Sequence, residues 1–166
     1  MTTDTESGAA KVADLARDVK FAMLTTVDAD GELVSRPMAH QEVETDGDLW
    51  FFASRDSRKV SHIRANPHVA VTLSSSSTWV SINGSAEVVE DDAKARELWS
   101  PGIEAWFPQG PDDDSIVLIK VSGETAEYWD TPGGQVATVL SLVKSKLTGK
   151  RYSGGDNATV DLTTAG

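Results

Sequence analysis

Cysteine is absent from the 166 residues, which excludes disulfides, thiolate catalysis and any zinc or iron–sulfur site built on cysteine. Also missing is an apolar run of the roughly 20 residues that a membrane-spanning helix needs. Basic residues are scarce: 15 Lys and Arg stand against 26 Asp and Glu, a formal charge of −11. So acidic a chain lacks the basic face that a phosphate backbone demands, and nucleic acid is not an expected partner. The acidity reads as a solubility feature. The three histidines, His40, His62 and His68, have neither HxH nor HxxxH spacing and no accompanying carboxylate pattern, so no metal site is expected. There is no G-x-S-x-G elbow, Walker loop or G-x-G-x-x-G fingerprint, which leaves hydrolase and nucleotide-fold readings without support. The opening residues MTTDTESGAAK are polar and acidic, unlike a secretory leader, and the cytoplasm is the expected location.

What is present is a succession of short strands. The length suits one domain, with residues 1–10 expected to be disordered, a folded unit over 11–148 and a loose tail over 149–166. Val12, Leu15, Ala16 and Val19 recur at helical spacing. Phe21–Val27 reads as a buried strand, Asp30-Gly31 as a tight turn and Glu32–Gln41 as the hairpin partner. After a second turn at Asp46-Gly47 come an apolar strand, Leu49–Ala53, and a short helix, Ser57–Ala65, closed by Asn66-Pro67. His68–Ser74 and Trp79–Glu90 read as strands, the latter interrupted at Gly84. Asp91 or Asp92 caps a helix reaching Trp99. The stretch WSPGIEAWFPQGPDDD reads as irregular; two further strands, Ser115–Val121 and Glu124–Trp129, and a helix over 135–147 follow it. Six to seven strands at short spacing, with helices inserted irregularly, predict a mainly β (α+β) antiparallel barrel with flanking helices.

The chemistry concentrates where Leu49–Ala53 gives way to the next helix. A helix start offers free N–H groups and the positive end of a dipole, so it attracts anions. Ser57, Arg58 and Lys59 stand there, and cations in a first turn are disfavoured unless an anion is present. A phosphate site is one reading; a solvated basic pair on a surface helix is the other. In Ser35-Arg36-Pro37-Met38 the proline cannot donate to a ladder, so the segment belongs on an edge or at a bulge where the backbone and Arg36 can face a ligand. Of the five tryptophans, Trp50 and Trp79 lie in strands, Trp99 and Trp106 flank the Pro-rich stretch, and Trp129 ends the last strand. Such residues either pack in a core or offer a stacking face to a planar heterocycle.

Together, VSRPMAHQ, DLWFFASRDSRKVSHIRANPHVAV, WVSINGSAEVV, ELWSPGIEAWFPQGPDDD and AEYWD resemble the pyridoxamine 5′-phosphate oxidase-like superfamily of FMN-binding split β-barrels, in its bacterial general-stress-protein branch. The resemblance covers about residues 12–148 and implies a split β-barrel with FMN held in a cleft between the subunits of a homodimer. It implies that Arg58 and Lys59 hold the cofactor phosphate with Ser57 nearby, and that Arg36, Pro37 and Met38 line the ribityl chain and ring. Phe52 and Ala53 match the cofactor-contacting strand end, and Trp129 matches an aromatic that approaches the flavin. The segment Trp106-Phe107-Pro108 is expected to cover part of the cleft at the subunit boundary.

The departures matter as much. The oxidases carry a lysine where this chain has Gln41 and a glutamine where it has Trp79; after the last tryptophan they carry a basic substrate-binding segment, here Asp130-Thr131-Pro132-Gly133-Gly134. A phosphorylated pyridoxamine would lose its anchoring cations. The expectation is a general-stress-type FMN-binding protein, acting as a flavin-dependent oxidoreductase on a small-molecule substrate that the sequence does not identify. Its alternatives are a non-catalytic flavin-binding or storage module and a split-barrel reductase using FAD or a deazaflavin coenzyme. No residue is assigned as a catalytic acid or base.

Overall fold

The computed structural model describes residues 2–41, 48–130 and 156–163. Its elements are α1 (Thr2–Arg17), β1 (Phe21–Val27), β2 (Leu33–Ala39), β3 (Leu49–Ser54), α2 (Arg58–Ala65), β4 (His68–Ser74), β5 (Thr78–Val89), α3 (Asp92–Leu98), α4 (Pro101–Glu104), β6 (Ile116–Asp130) and β7 (Asp156–Asp161). The turn at Asp46-Gly47 and the helix expected over 135–147 lie outside the described residues.

The seven strands form one antiparallel sheet in the order β2-β1-β4-β5-β6-β3, with β7 paired to β6. Alternation sets its faces. Along β1, β4 and β5 every second residue is buried, while Phe21, Met23, Thr72, Trp79 and Asn83 point outward. The β1–β2 hairpin turns through Gly31 at φ 82°, a conformation glycine adopts without steric cost. The Asp28 carboxylate secures that turn by accepting from the amides of Asp30 and Glu32. At the other end of the sheet, β6 divides one edge between two partners: Ile116–Val121 pairs with β3, and Thr125–Asp130 pairs with β7. The sheet curls without closing. Among the described residues, His40, just past the end of β2, makes an isolated bridge to Phe51 of β3.

The curl encloses one core, in which Val12, Ala13 and Ala16 of α1 meet Leu24, Phe51, Val71, Leu73, Val80, Ile82, Ile119 and Val121 of the sheet. β3 is buried on both faces, which explains its unbroken apolar run. Leu49, Phe51 and Ala53 face the main core; Trp50 and Phe52 face a second cluster built by Ala95 and Leu98 of α3, Ile103 of α4, and Trp99 and Phe107.

Several elements differ in extent from the sequence expectation. β6 is one fifteen-residue strand rather than two, because Gly123 continues the ladder opposite Gly84. The WSPGIE stretch contains the single-turn helix α4: the Ser100 hydroxyl accepts from the Ile103 amide, and Pro101 supplies a helical φ at its first position. α1 begins at Thr2, and β7 falls within the stretch expected to be a loose tail. β7 carries little apolar periodicity; its neighbours are set by the half of the β6 edge that β3 leaves free and by the burial of Val160 and Leu162. Among the described residues no helix is long and apolar enough to cross a membrane.

Candidate functional site

α2 follows β3 almost at once, so its N-terminus opens at the sheet's end beside β2. Ser57 occupies the N-cap position, yet its hydroxyl does not cap the helix. That oxygen is buried and has no hydrogen-bond partner among the described residues. A buried hydroxyl left unpaired costs about 1–3 kcal/mol, which a ligand acceptor or donor would recover.

Two cations, Arg58 and Lys59, follow Ser57 in the first turn of α2, and a third, Arg36, comes from β2. Arg36 of β2 donates from Nη1 to the Leu24 carbonyl at 3.1 Å and to the Thr26 hydroxyl at 2.8 Å. Burial first, and the Arg58 charge second, lower the pKa of the Arg36 guanidinium from its ordinary value. Burial and then the Arg36 charge lower the Lys59 ammonium in the same way. Arg36, Arg58 and Lys59 therefore sit within electrostatic reach of one another, and among the described residues none of them makes an ion pair. First-turn amides and helix dipole add to the same positive field. Of the two sequence readings, this geometry favours the anion site over a solvated pair, because Lys59 is half-buried and Arg36 is already committed to buried acceptors.

Lys59 also lines a cleft of 410 Å³ that runs from α2 between β2, β3 and the α4 loop. Pro37, Met38, Phe52, Ala53 and Trp106 share it, so six of the ten residues expected at the site meet in one cavity. Arg36, Ser57 and Arg58 do not line it; in the chain Arg36 precedes Pro37, and Ser57 and Arg58 precede Lys59. Among the described residues β2 pairs with β1 alone, as an edge strand does, which leaves Pro37 without cost to the ladder. Phe52 forms the floor: its ring meets Trp99 edge-on at 5.4 Å and Phe107 at 6.4 Å. Trp106, 72% exposed, stands at the mouth.

Phe21, Ile103 and Ala39 also line the cleft and were not singled out from sequence. Phe21 looks like the start of an ordinary strand, and only its outward register, opposite Ala39, brings it there. The structure does not bring Trp129 to this cleft. It is the register partner of Trp79 across β5–β6, and the two residues lie on the outer face, 39% and 43% exposed. Of the histidines, His40 binds through its ring nitrogens to the Gln41 carbonyl at 2.8 Å and to the Val19 carbonyl. His62 is buried against Thr26, and His68 is exposed on β4.

A family model described as "Pyridoxamine 5'-phosphate oxidase like" matches residues 7–153. The chain is 32% identical over 143 residues to Protein bli-3 of Neurospora crassa, covering 79% of this chain and 68% of that protein. A structure from Jannaschia sp. CCS1 assigned to general stress protein 26 superposes with a TM-score of 0.74 at 25% identity, covering 90% of this chain and 95% of that one. A heme binding protein from Mycobacterium smegmatis shares the fold, with a TM-score of 0.66 at 14% identity over 95% of this chain and 59% of that one.

Proposed function

The chain belongs to the pyridoxamine 5′-phosphate oxidase-like family, and from that premise we propose that it binds FMN and serves as a general-stress-type flavoprotein, a flavin-dependent oxidoreductase. One observation carries this: Arg36, Arg58 and Lys59, none with an ion-pair partner among the described residues, lie within electrostatic reach of one another where Lys59 enters an apolar, aromatic cleft, next in the chain to a Ser57 hydroxyl that is buried without a hydrogen-bond partner among those residues. The donor set suits a phosphomonoester. Arg36, Arg58 and Lys59 would neutralise it, and the Ser57 hydroxyl would bond one of its oxygens. The cleft suits a planar ring, with Phe52 beneath it, Pro37 and Met38 at its side and Trp106 screening it from water.

Bound FMN would accept and pass on electron pairs; the residues around it supply binding, orientation and exclusion of water. Among the described residues lining the cleft, Lys59 is the sole ionisable side chain, so none is assigned to proton transfer. That same feature favours a second reading, a protein that holds flavin without turning a substrate over. Reduction of the loaded protein by NADH or NADPH, followed by reoxidation with an added acceptor, separates the two. The loss of oxidase-type substrate cations argues against pyridoxamine 5′-phosphate as the substrate.

The outer face carries Phe21, Met23, Leu33, Trp79 and Trp129, all exposed by 39–76%. A patch of this kind marks an interface. We propose a homodimer in which a second copy covers this face and Trp129 of one subunit completes the flavin site of the other. FAD and the deazaflavin coenzyme share the phosphate chemistry and remain the comparison ligands; the acidic surface favours the shorter FMN. The test is the absorbance of freshly purified protein, with mass spectrometry of what it releases and parallel micromolar titrations of FMN, FAD and deazaflavin. A colourless protein that FMN neither shifts nor is quenched by refutes the assignment.

A further inference from the structure

The phosphate cations come from two separate elements, β2 and α2, and a buried polar chain connects them. Thr26 of β1 is fully buried at an inward position of the sheet, where an apolar residue would ordinarily pack. Its Oγ1 lies 2.8 Å from Arg36 Nη1 and 2.9 Å from Nδ1 of His62, itself buried on α2 one turn beyond Arg58. One donor role follows from chemistry. A guanidinium only donates, so Thr26 accepts from Arg36. The hydroxyl hydrogen is then available to an unprotonated His62 Nδ1, the arrangement in which Thr26 accepts from one side chain and donates to the other. The Leu24 carbonyl holds the same Nη1 at 3.1 Å. Two acceptors thus anchor one end of the guanidinium, leaving its remaining N–H groups for the cluster it shares with Arg58 and Lys59.

We propose that Thr26 and His62 are positioning residues for the phosphate end of the cofactor, holding Arg36 of β2 at a fixed place relative to the N-terminus of α2. The proposal rests on the FMN assignment above. Arginine has many rotamers, and ordering one for a bidentate contact costs side-chain entropy that a preformed anchor removes in advance. The hydroxyl also meets both Arg36 Nη1 and His62 Nδ1 in a place where either, left alone, would be costly. Neither residue is required to touch the ligand.

The test compares FMN with riboflavin, which has the same ring and no phosphate. Fluorescence titrations are run on the wild-type protein, Thr26→Val, Thr26→Ser, His62→Leu and His62→Asn. Valine keeps the shape of threonine and removes the hydroxyl; serine restores it. Asparagine offers an acceptor near the Nδ1 position, and leucine does not. Thr26→Val and His62→Leu are expected to weaken FMN about tenfold, the size of a lost hydrogen bond to a charged group, and to leave riboflavin within about twofold of wild type. Thr26→Ser and His62→Asn are expected to recover most of the loss, and ¹⁵N spectra of the wild-type protein should show Nδ1 of His62 unprotonated. Unchanged FMN affinity in both disrupting variants, or equal loss of FMN and riboflavin, overturns the positioning role while the FMN assignment stands. A wild-type protein that fails to prefer FMN over riboflavin overturns the phosphate site and the positioning role with it. Should Thr26→Val not fold, the His62→Leu and His62→Asn pair decides the matter alone.

Discussion

If Arg36, Arg58 and Lys59 are gathered for an anion, then Lys59→Met should make the ligand-free protein more stable and the flavin-bound protein less so. Methionine keeps the length, the apolar stem and the helix propensity of lysine while removing its charge. Without a ligand the ammonium pays for half-burial and for repulsion from Arg36. A partly exposed charge interaction amounts to roughly 0.2–1 kcal/mol, and with burial acting in the same direction the upper end applies, about 1 kcal/mol. For a domain of this size that raises Tm by about 2–4 °C. The pH dependence has a definite sign. The native pKa lies below the ordinary value of 10.5, so the penalty is fully present at neutral pH and fades as pH rises from the lowered native value toward 10.5. Lys59→Met should abolish that alkaline gain.

With FMN the order reverses. At one hundred times its Kd, FMN adds about 2.7 kcal/mol to the wild-type protein. Loss of one charge-assisted bond to phosphate, about 2 kcal/mol, raises Kd about 30-fold, so the same FMN concentration adds only about 0.9 kcal/mol to the variant. Together with its head start of about 1 kcal/mol, the variant ends about 0.8 kcal/mol below wild type. Differential scanning calorimetry of the two proteins, each with and without FMN, reads all four states. A ligand-free Lys59→Met protein that melts below wild type would refute the picture of a repulsive, anion-seeking cluster.

Gly84→Ala should abolish folding or cost more than about 3 kcal/mol in urea denaturation, because an added Cβ would stand 2.0 Å from the Ser122 carbonyl oxygen at the β5–β6 irregularity. Asp130 accepts from Lys11 at 2.9 Å and from the Thr78 hydroxyl at 3.1 Å, and these bonds, Lys11 foremost, hold its pKa below 3.8 against the opposing effect of burial. Its contribution is therefore present above pH 3.8 and lost as pH falls through the lowered native value; Asp130→Asn should cost up to about 1 kcal/mol at pH 7 and flatten the acid limb of the stability curve. Trp79→Asp should convert a dimer to monomers by light scattering and weaken FMN; a wild-type protein already monomeric at micromolar concentration would refute the interface.

Legibility from sequence followed the range of the interactions involved. The helix start that carries Arg58 and Lys59 was readable because every determinant is local: an apolar strand before it, a first turn carrying cations, and Asn66-Pro67 to end the helix. Pro37 announced its edge strand for the same reason. Thr26 was not readable as part of the proposed site. A threonine in a strand signals nothing until β1, β2 and α2 are assembled and its hydroxyl is found between Arg36 and His62. β7 was missed because its apolar content is small and its pairing depends on how far β3 extends along β6.

Trp129 shows how far one chain's sequence and structure reach. The resemblance implied an aromatic near the flavin, yet register fixes Trp129 beside Trp79 on the outer face, while the cleft runs between β2, β3 and the α4 loop. Both facts hold together if the flavin site is shared between two copies. In that arrangement the exposed Trp79–Trp129 pair, costly to leave in water, is covered by the same association that completes the site. Flavin affinity should then depend on protein concentration across the dimer dissociation range, whereas a site complete within one chain would bind equally well at any dilution.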